Sequence, residues 1–122
     1  MARFVYYNRN PQLNTRKNDC VCRAISFATN LPYNEIEEKL KLTAELYECD
    51  RLVMCCYKTL LQDVFKLRPI RCKYLTVGEL ADKFPRSTII ARTNGHLTAI
   101  KRNTVYDIFD CRNELVTNAW IV

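Results

Sequence analysis

The chain predicts an α+β domain in which helices come first and a sheet follows. Apolar residues recur at helical spacing between residues 19 and 83. From Ser87 onward they fall into short strand-like stretches separated by turn residues. A length of 122 residues fits one domain with one core, residues 1–122.

The elements follow in order. Arg3 to Asn8 is rich in aromatic and β-branched residues and reads as a short strand; Asn8 to Asn18 is polar, contains Pro11 and reads as a loop. A helix is expected over Asp19 to Thr29, with Val21, Ala24, Ile25 and Ala28 on its apolar face and Asn18 or Asp19 as its cap. Pro32 suits the first turn of a second helix through Leu40, where Ile36 and Leu40 point inward. A third helix is predicted over Leu52 to Phe65, with Val53, Cys56, Leu60 and Val64 on one side. A short fourth, Thr76 to Lys83, carries Thr76 and Glu79 at capping-box spacing. Four strands complete the antiparallel sheet: Thr88 to Thr93, His96 to Lys101, Thr104 to Phe109 after an Arg102-Asn103 turn, and Leu115 to Val122.

Composition removes several function classes. With only Gly78 and Gly95, no glycine-rich phosphate loop can be built. Seven cysteines are an odd number, and Met1 to Tyr7 lacks the apolar run of an export signal. They are therefore read as reduced thiols of a cytoplasmic protein, most of them packed in the core. Cys20-x-Cys22 and Cys55-Cys56 are too close for ordinary zinc-ligand spacing, and there is one histidine, so neither metal nor cofactor is expected. No stretch is long and apolar enough to span a membrane. The net charge is +6, and Arg51, Lys58, Lys66, Arg68, Arg71 and Lys73 concentrate part of it. These read as a solvated basic face, with nucleic-acid binding as the weaker alternative.

The chemistry centres on Cys20 and His96. Cys20 stands in the first turn of a helix, where the positive end of the backbone dipole favours a thiolate. His96, the sole histidine, opens a strand and can serve as its base if folding brings the two together. The imidazole needs an orienting group. Counting back from the Arg102-Asn103 turn puts Asp107 on the face of His96, whereas Asp110 lies one position past its nominal partner and needs a bulge to face it. The Cys20 backbone N–H and an upstream amide from Gln12, Asn14 or Asn18 are the candidate oxyanion donors. Each residue also has a plain structural role: the cysteine packs, the histidine bonds a carbonyl, the aspartates cap turns or pair with Arg112. Arg23 reads as structural, pairing with Asp19 or a glutamate.

Tyr6-Tyr7-Asn8-x-Asn10-Pro11, Asn18-Asp19-Cys20-x-x-Arg23-Ala24-Ile25, Gly95-His96-Leu97-Thr98-Ala99-Ile100 and Tyr106-Asp107-x-x-Asp110 together resemble small papain-like cysteine-peptidase-fold proteins of bacteriophages and prophages. The Asp-Cys and His blocks are also similar to the bacteriocin-processing peptidase domains of ABC exporters. The resemblance implies a papain-like fold, with a cysteine-bearing N-terminal helix packed on an antiparallel sheet that bears the histidine. It implies Cys20 as nucleophile, His96 as general base and acid, and Asp110 as the orienting residue, with Asp107 second. In the exporter domains and in papain a glutamine six residues before the cysteine helps form the oxyanion hole; here that position holds Asn14, a shorter amide. The implied activity is hydrolysis of a peptide or isopeptide bond in a peptide or protein substrate, in the host cytoplasm or in association with the virion. The alternative is a non-catalytic phage protein of the same fold, acting as a virion accessory or binding and inhibiting a host factor.

Overall fold

The computed structural model describes residues 1–12, 19–50 and 53–122. The chain runs β1 (Arg3–Tyr6), α1 (Cys20–Thr29), α2 (Tyr33–Tyr47), α3 (Met54–Thr59), a π-helical turn (Leu60–Val64), β2 (Arg68–Ile70), α4 (Val77–Lys83), β3 (Thr88–Thr93), β4 (His96–Lys101), β5 (Thr104–Asp107) and β6 (Asn118–Ile121). This is an α+β architecture with a six-stranded sheet in the order β1-β5-β4-β3-β6-β2.

The centre of the sheet is local in origin. β3 and β4 pair antiparallel from Thr88↔Lys101 to Thr93↔His96, closing on Asn94-Gly95, where Gly95 takes φ 76°. β4 and β5 close on Arg102 and Asn103, both left-handed at φ 49° and 61°, and Lys101 pairs with Thr104. Such a turn matches the natural twist of a hairpin. The sheet is mixed, which corrects the wholly antiparallel expectation: β1 runs parallel to β5, with Arg3↔Thr104 through Tyr6↔Asp107. A parallel partner needs a long connection, and nearly the whole chain lies between these two strands. β2 was not legible as a strand because Pro69 sits in its middle; it survives as the edge beside β6.

Both faces of the sheet are covered. Ile90, Leu97, Ala99 and Trp120 pack under α1, α2 and α3. Ile89, Ala91, Ile100, Val105 and Ala119 face the other way, against Val77, Leu80 and Ala81 of α4. Two covered faces explain why β3 and β4 read as continuous apolar runs rather than strict alternation.

The helices differ from expectation in instructive ways. α1 buries six consecutive residues, Val21 to Ser26, so it is an interior helix rather than a one-faced one. α2 continues to Tyr47, burying Tyr33, Ile36, Leu40 and Thr43. In the third helical segment the buried set is Cys56, Tyr57, Leu60 and Leu61, while Val53 and Val64 are 44% and 54% exposed. The four buried residues keep α-helical spacing; Val53 precedes the helix at its N-cap position, and beyond Leu60 the backbone widens, the Phe65 N–H bonding to the Leu60 carbonyl five residues back, so Val64 falls outside the stripe. Leu52 lies outside the described residues. At α4 the capping box forms, with Thr76 Oγ1 accepting from the Glu79 N–H at 3.1 Å and Glu79 Oε1 accepting from the Thr76 N–H at 2.9 Å. All seven cysteines are free thiols, four of them buried. Among the described residues no helix is long and apolar enough to cross a membrane.

Candidate active site

Cys20 is the first residue of α1, and the residue before it behaves unlike a cap. Asp19 occupies the N-cap position, but its side chain makes no capping hydrogen bond. It is buried and accepts hydrogen bonds from Asn10 Nδ2 at 3.0 Å, from the Tyr33 hydroxyl at 2.7 Å and from Arg23 Nη1. The Arg23 guanidinium also reaches the end of β5, with Nη2 3.8 Å from Asp107 Oδ1. A buried arginine between two buried carboxylates ties the cysteine-bearing helix to the strand that ends in Asp107. The expected Asp19–Arg23 pair is present, and its second partner is the part that the sequence did not disclose.

His96 begins β4 and Asp107 ends β5, so both stand at the open end of one hairpin. With Ile100 opposite Val105, the face that carries those two residues also carries His96, Thr98 and Asp107. His96 Nε2 lies 2.7 Å from Asp107 Oδ2, while Asp107 Oδ1 accepts from the Ile108 N–H at 2.7 Å. The Phe109 ring packs beside the imidazole, its centroid 4.7 Å away. Cys20, His96 and Leu97 line one cleft, and both the imidazole and the Leu97 backbone N–H act on the thiol in favour of its charged form. With Nε2 engaged by Asp107, Nδ1 is the ring atom left for the sulfur.

This corrects the choice of orienting residue. Asp110 does not approach His96; its side chain is 43% exposed and forms a two-pronged pair with Arg112, at 2.7 Å from Nη2 and 2.9 Å from Nε. β5 ends at Asp107 without the bulge that Asp110 required, so the simple register count from the turn holds. Asn14 and Asn18 lie outside the described residues. Gln12 is exposed, and its backbone N–H donates to Asn10 Oδ1 at 2.9 Å.

The electrostatics of the three groups are complementary. Burial alone raises the Cys20 pKa. The His96 hydrogen bond, the Leu97 N–H and the positive charges of His96 and Arg23 outweigh it and bring the thiol below its ordinary value. Burial alone would lower the His96 pKa. Hydrogen bonds with Asp107, Cys111 and Cys20, together with the Asp107 charge, push it up to about 11. Burial also works against ionised Asp107, but the His96 hydrogen bond and charge hold it below the usual carboxylate range. All three shifts run toward the charged forms, a thiolate beside an imidazolium with a carboxylate behind it. That state is a ready nucleophile with a proton donor at hand.

Cys111 is a neighbour that no sequence pattern singles out. It is fully buried, its Sγ 3.9 Å from Asp107 Oδ2, and it joins His96 and Asp107 in a group whose ligand atoms lie within 4.8 Å of one another. The group suits a shared proton better than a zinc ion. Two ligands on one tetrahedral zinc stand roughly 3.3 Å apart, given bonds of about 2.0–2.1 Å, whereas His96 and Asp107 are at 2.7 Å.

A cleft of about 220 Å³ opens beside Cys20 and His96, walled by Val53, Met54, Tyr57 and Arg92. The basic residues Lys58, Lys66, Arg68, Arg71 and Lys73 are exposed, as a solvated face requires; Arg51 lies outside the described residues. Compared with known proteins, the chain matches no family model, no curated protein and no solved structure.

Proposed function

We propose that the chain is a cysteine-peptidase-like hydrolase of papain-like fold, with Cys20 as nucleophile, His96 as base and acid, and Asp107 as the residue that orients the imidazole. The observation that carries the reading is the meeting of Cys20, from a helix start, with His96 in one cleft, where Asp107 holds the imidazole at 2.7 Å.

The thiolate attacks the carbonyl carbon of a peptide or isopeptide bond, and the carbonyl π electrons move to oxygen. As the tetrahedral species collapses, the C–N bond breaks and the His96 Nδ1 proton passes to the departing amine. The same nitrogen then takes a proton from water. The resulting hydroxide attacks the thioester, the C–S bond breaks, and the thiolate is restored with an imidazolium beside it. Asp107 on Nε2 keeps Nδ1 directed at the sulfur and stabilises the charged ring through both steps. The substrate is a peptide or protein met in the host cytoplasm or at the virion.

The test measures alkylation of each cysteine by iodoacetamide from pH 5 to 9, read by peptide mass spectrometry. Digestion of a complex peptide mixture by the wild type and by Cys20→Ala follows. Cys20 should react fastest at pH 5–6, His96→Ala should abolish that advantage, and cleaved peptides should appear with the wild type alone. If Cys20 labels no faster than Cys55 at acid pH, the thiol is not activated and the reading fails. Activated labelling with no Cys20-dependent cleavage removes the hydrolase and favours a non-catalytic phage protein on the same scaffold.

A further inference from the structure

The cleft beside Cys20 contains a cation that the chemistry above does not use. Arg92 lies in β3, two residues before the Asn94-Gly95 turn, and lines the same cleft as Cys20 and His96. Its guanidinium is held from behind: Nη1 donates to Thr117 Oγ1 at 2.8 Å. Thr117 in turn donates to the Arg92 carbonyl from its backbone N–H at 2.7 Å and its hydroxyl at 3.1 Å. The Tyr57 phenol stands beside the guanidinium.

What Arg92 lacks is an anion. Arg23 has Asp19 and Asp107, and Arg112 has Asp110, whereas among the described residues no carboxylate pairs with Arg92. The surrounding walls, Val21, Val53, Met54 and Leu97, are apolar and offer no substitute. Arg92 is half-buried, and its guanidinium remains open to the cleft. Its fork of N–H donors matches the two oxygens of a carboxylate, and an arriving carboxylate would satisfy it. The chain's net charge of +6 favours the approach of such a group.

We propose that this cleft is a carboxylate-recognition subsite in which Arg92 determines specificity, so that the substrates are peptides bearing an acidic group close to the bond that Cys20 attacks. The inference rests on Cys20 being the nucleophile. An aspartate or glutamate side chain and a free chain terminus present the same pair of oxygens, and the experiment separates these sources.

Three bromoacetyl dipeptides serve as probes: bromoacetyl-Gly-Gln-amide, which is neutral, bromoacetyl-Gly-Glu-amide, with a side-chain acid, and bromoacetyl-Gly-Gly with a free carboxylate. In each, the Cys20 sulfur forms a bond to the methylene carbon and bromide leaves, and the rate at Cys20 is read by mass spectrometry. One or both acidic probes should label Cys20 about tenfold faster than the neutral one, the gain expected of a charge-assisted pair. Which acidic probe gains identifies the source. Arg92→Gln should erase the preference, and Arg92→Lys, which keeps the charge, should retain part of it. Equal rates with all three probes on a fast-reacting Cys20 would overturn the subsite while leaving the nucleophile intact. A preference that survives in Arg92→Gln would assign it to the His96 cation and overturn the role of Arg92. A Cys20 that is slow toward every probe, the neutral one included, defeats the underlying reading instead.

Discussion

His96 Nε2 and Asp107 Oδ2 stand 2.7 Å apart at the open end of the β4–β5 hairpin, and Asp110, three residues on, turns outward to Arg112. The contact is a consequence of register. Once the Arg102-Asn103 turn sets Lys101 opposite Thr104, the alternation of side chains brings residues 96 and 107 to one face.

The two aspartates should therefore separate cleanly. Asp107→Asn leaves His96 without an anionic partner, so the imidazolium weakens and the thiol returns toward its ordinary range. Cys20 alkylation at pH 6 should fall by about tenfold or more, a change equal to roughly one pKa unit. Asp110→Asn removes an exposed pair and should leave that rate alone, with stability changed by less than about 1 kcal/mol. Site-resolved alkylation and thermal melts on both variants check this; equal effects from the two would dissolve the assignment.

Stability should also depend on pH through the His96–Asp107 pair. The comparison is cleanest without the thiol, as Cys20→Ser against Cys20→Ser/His96→Gln. His96 is raised from 6.5, so its contribution is complete below pH 6.5 and is lost as pH climbs toward about 11. Asp107 is lowered from 3.8, so its contribution is complete above that value and is lost as the solution is acidified through its folded value. The difference in melting temperature between the two proteins should peak near pH 5–6 and shrink toward pH 10 and below pH 3. At the peak the double variant should be weaker by about 1–3 kcal/mol, the cost of stranding a buried polar group. A difference that stays level across the range would argue against a charged pair.

Arg23 should matter to folding more than its distance from the sulfur implies. Its removal leaves Asp19, buried, with the Tyr33 hydroxyl and Asn10 amide as its side-chain partners among the described residues, and takes away the cation next to Asp107. Arg23→Met should cost about 3–5 kcal/mol, the penalty for orphaning a buried charge. Arg23→Met combined with Asp19→Asn should recover part of that loss, because the orphan is then neutral. Urea titration of the three proteins measures both steps; additive losses would mean that the two residues do not act as a pair.

How much of this was legible follows the range of the interactions involved. The Thr76/Glu79 capping box, the limits of β3 and β4, and the two-residue turn at Arg102-Asn103 are set within a few residues, and each could be read from local pattern. The outward place of Val64 could not. It follows a switch to π-helical bonding after Leu60 that no side-chain pattern in the segment announces. β1 was legible as a strand, but its parallel pairing with β5 joins Arg3 to Thr104 across the chain and has no local signature.

The site divides the same way. Chain order alone marked Cys20 at a helix start and His96 at a strand start, because capping and turn chemistry act over three or four residues. The meeting of that sulfur with that ring was decided by the packing of α1 on the sheet. So were the turning of Asp19 away from its cap toward Arg23 and the seating of Arg92 in the cleft. Each of those outcomes depends on which groups are stripped of water together, and burial is a property of the assembled layers rather than of any one segment.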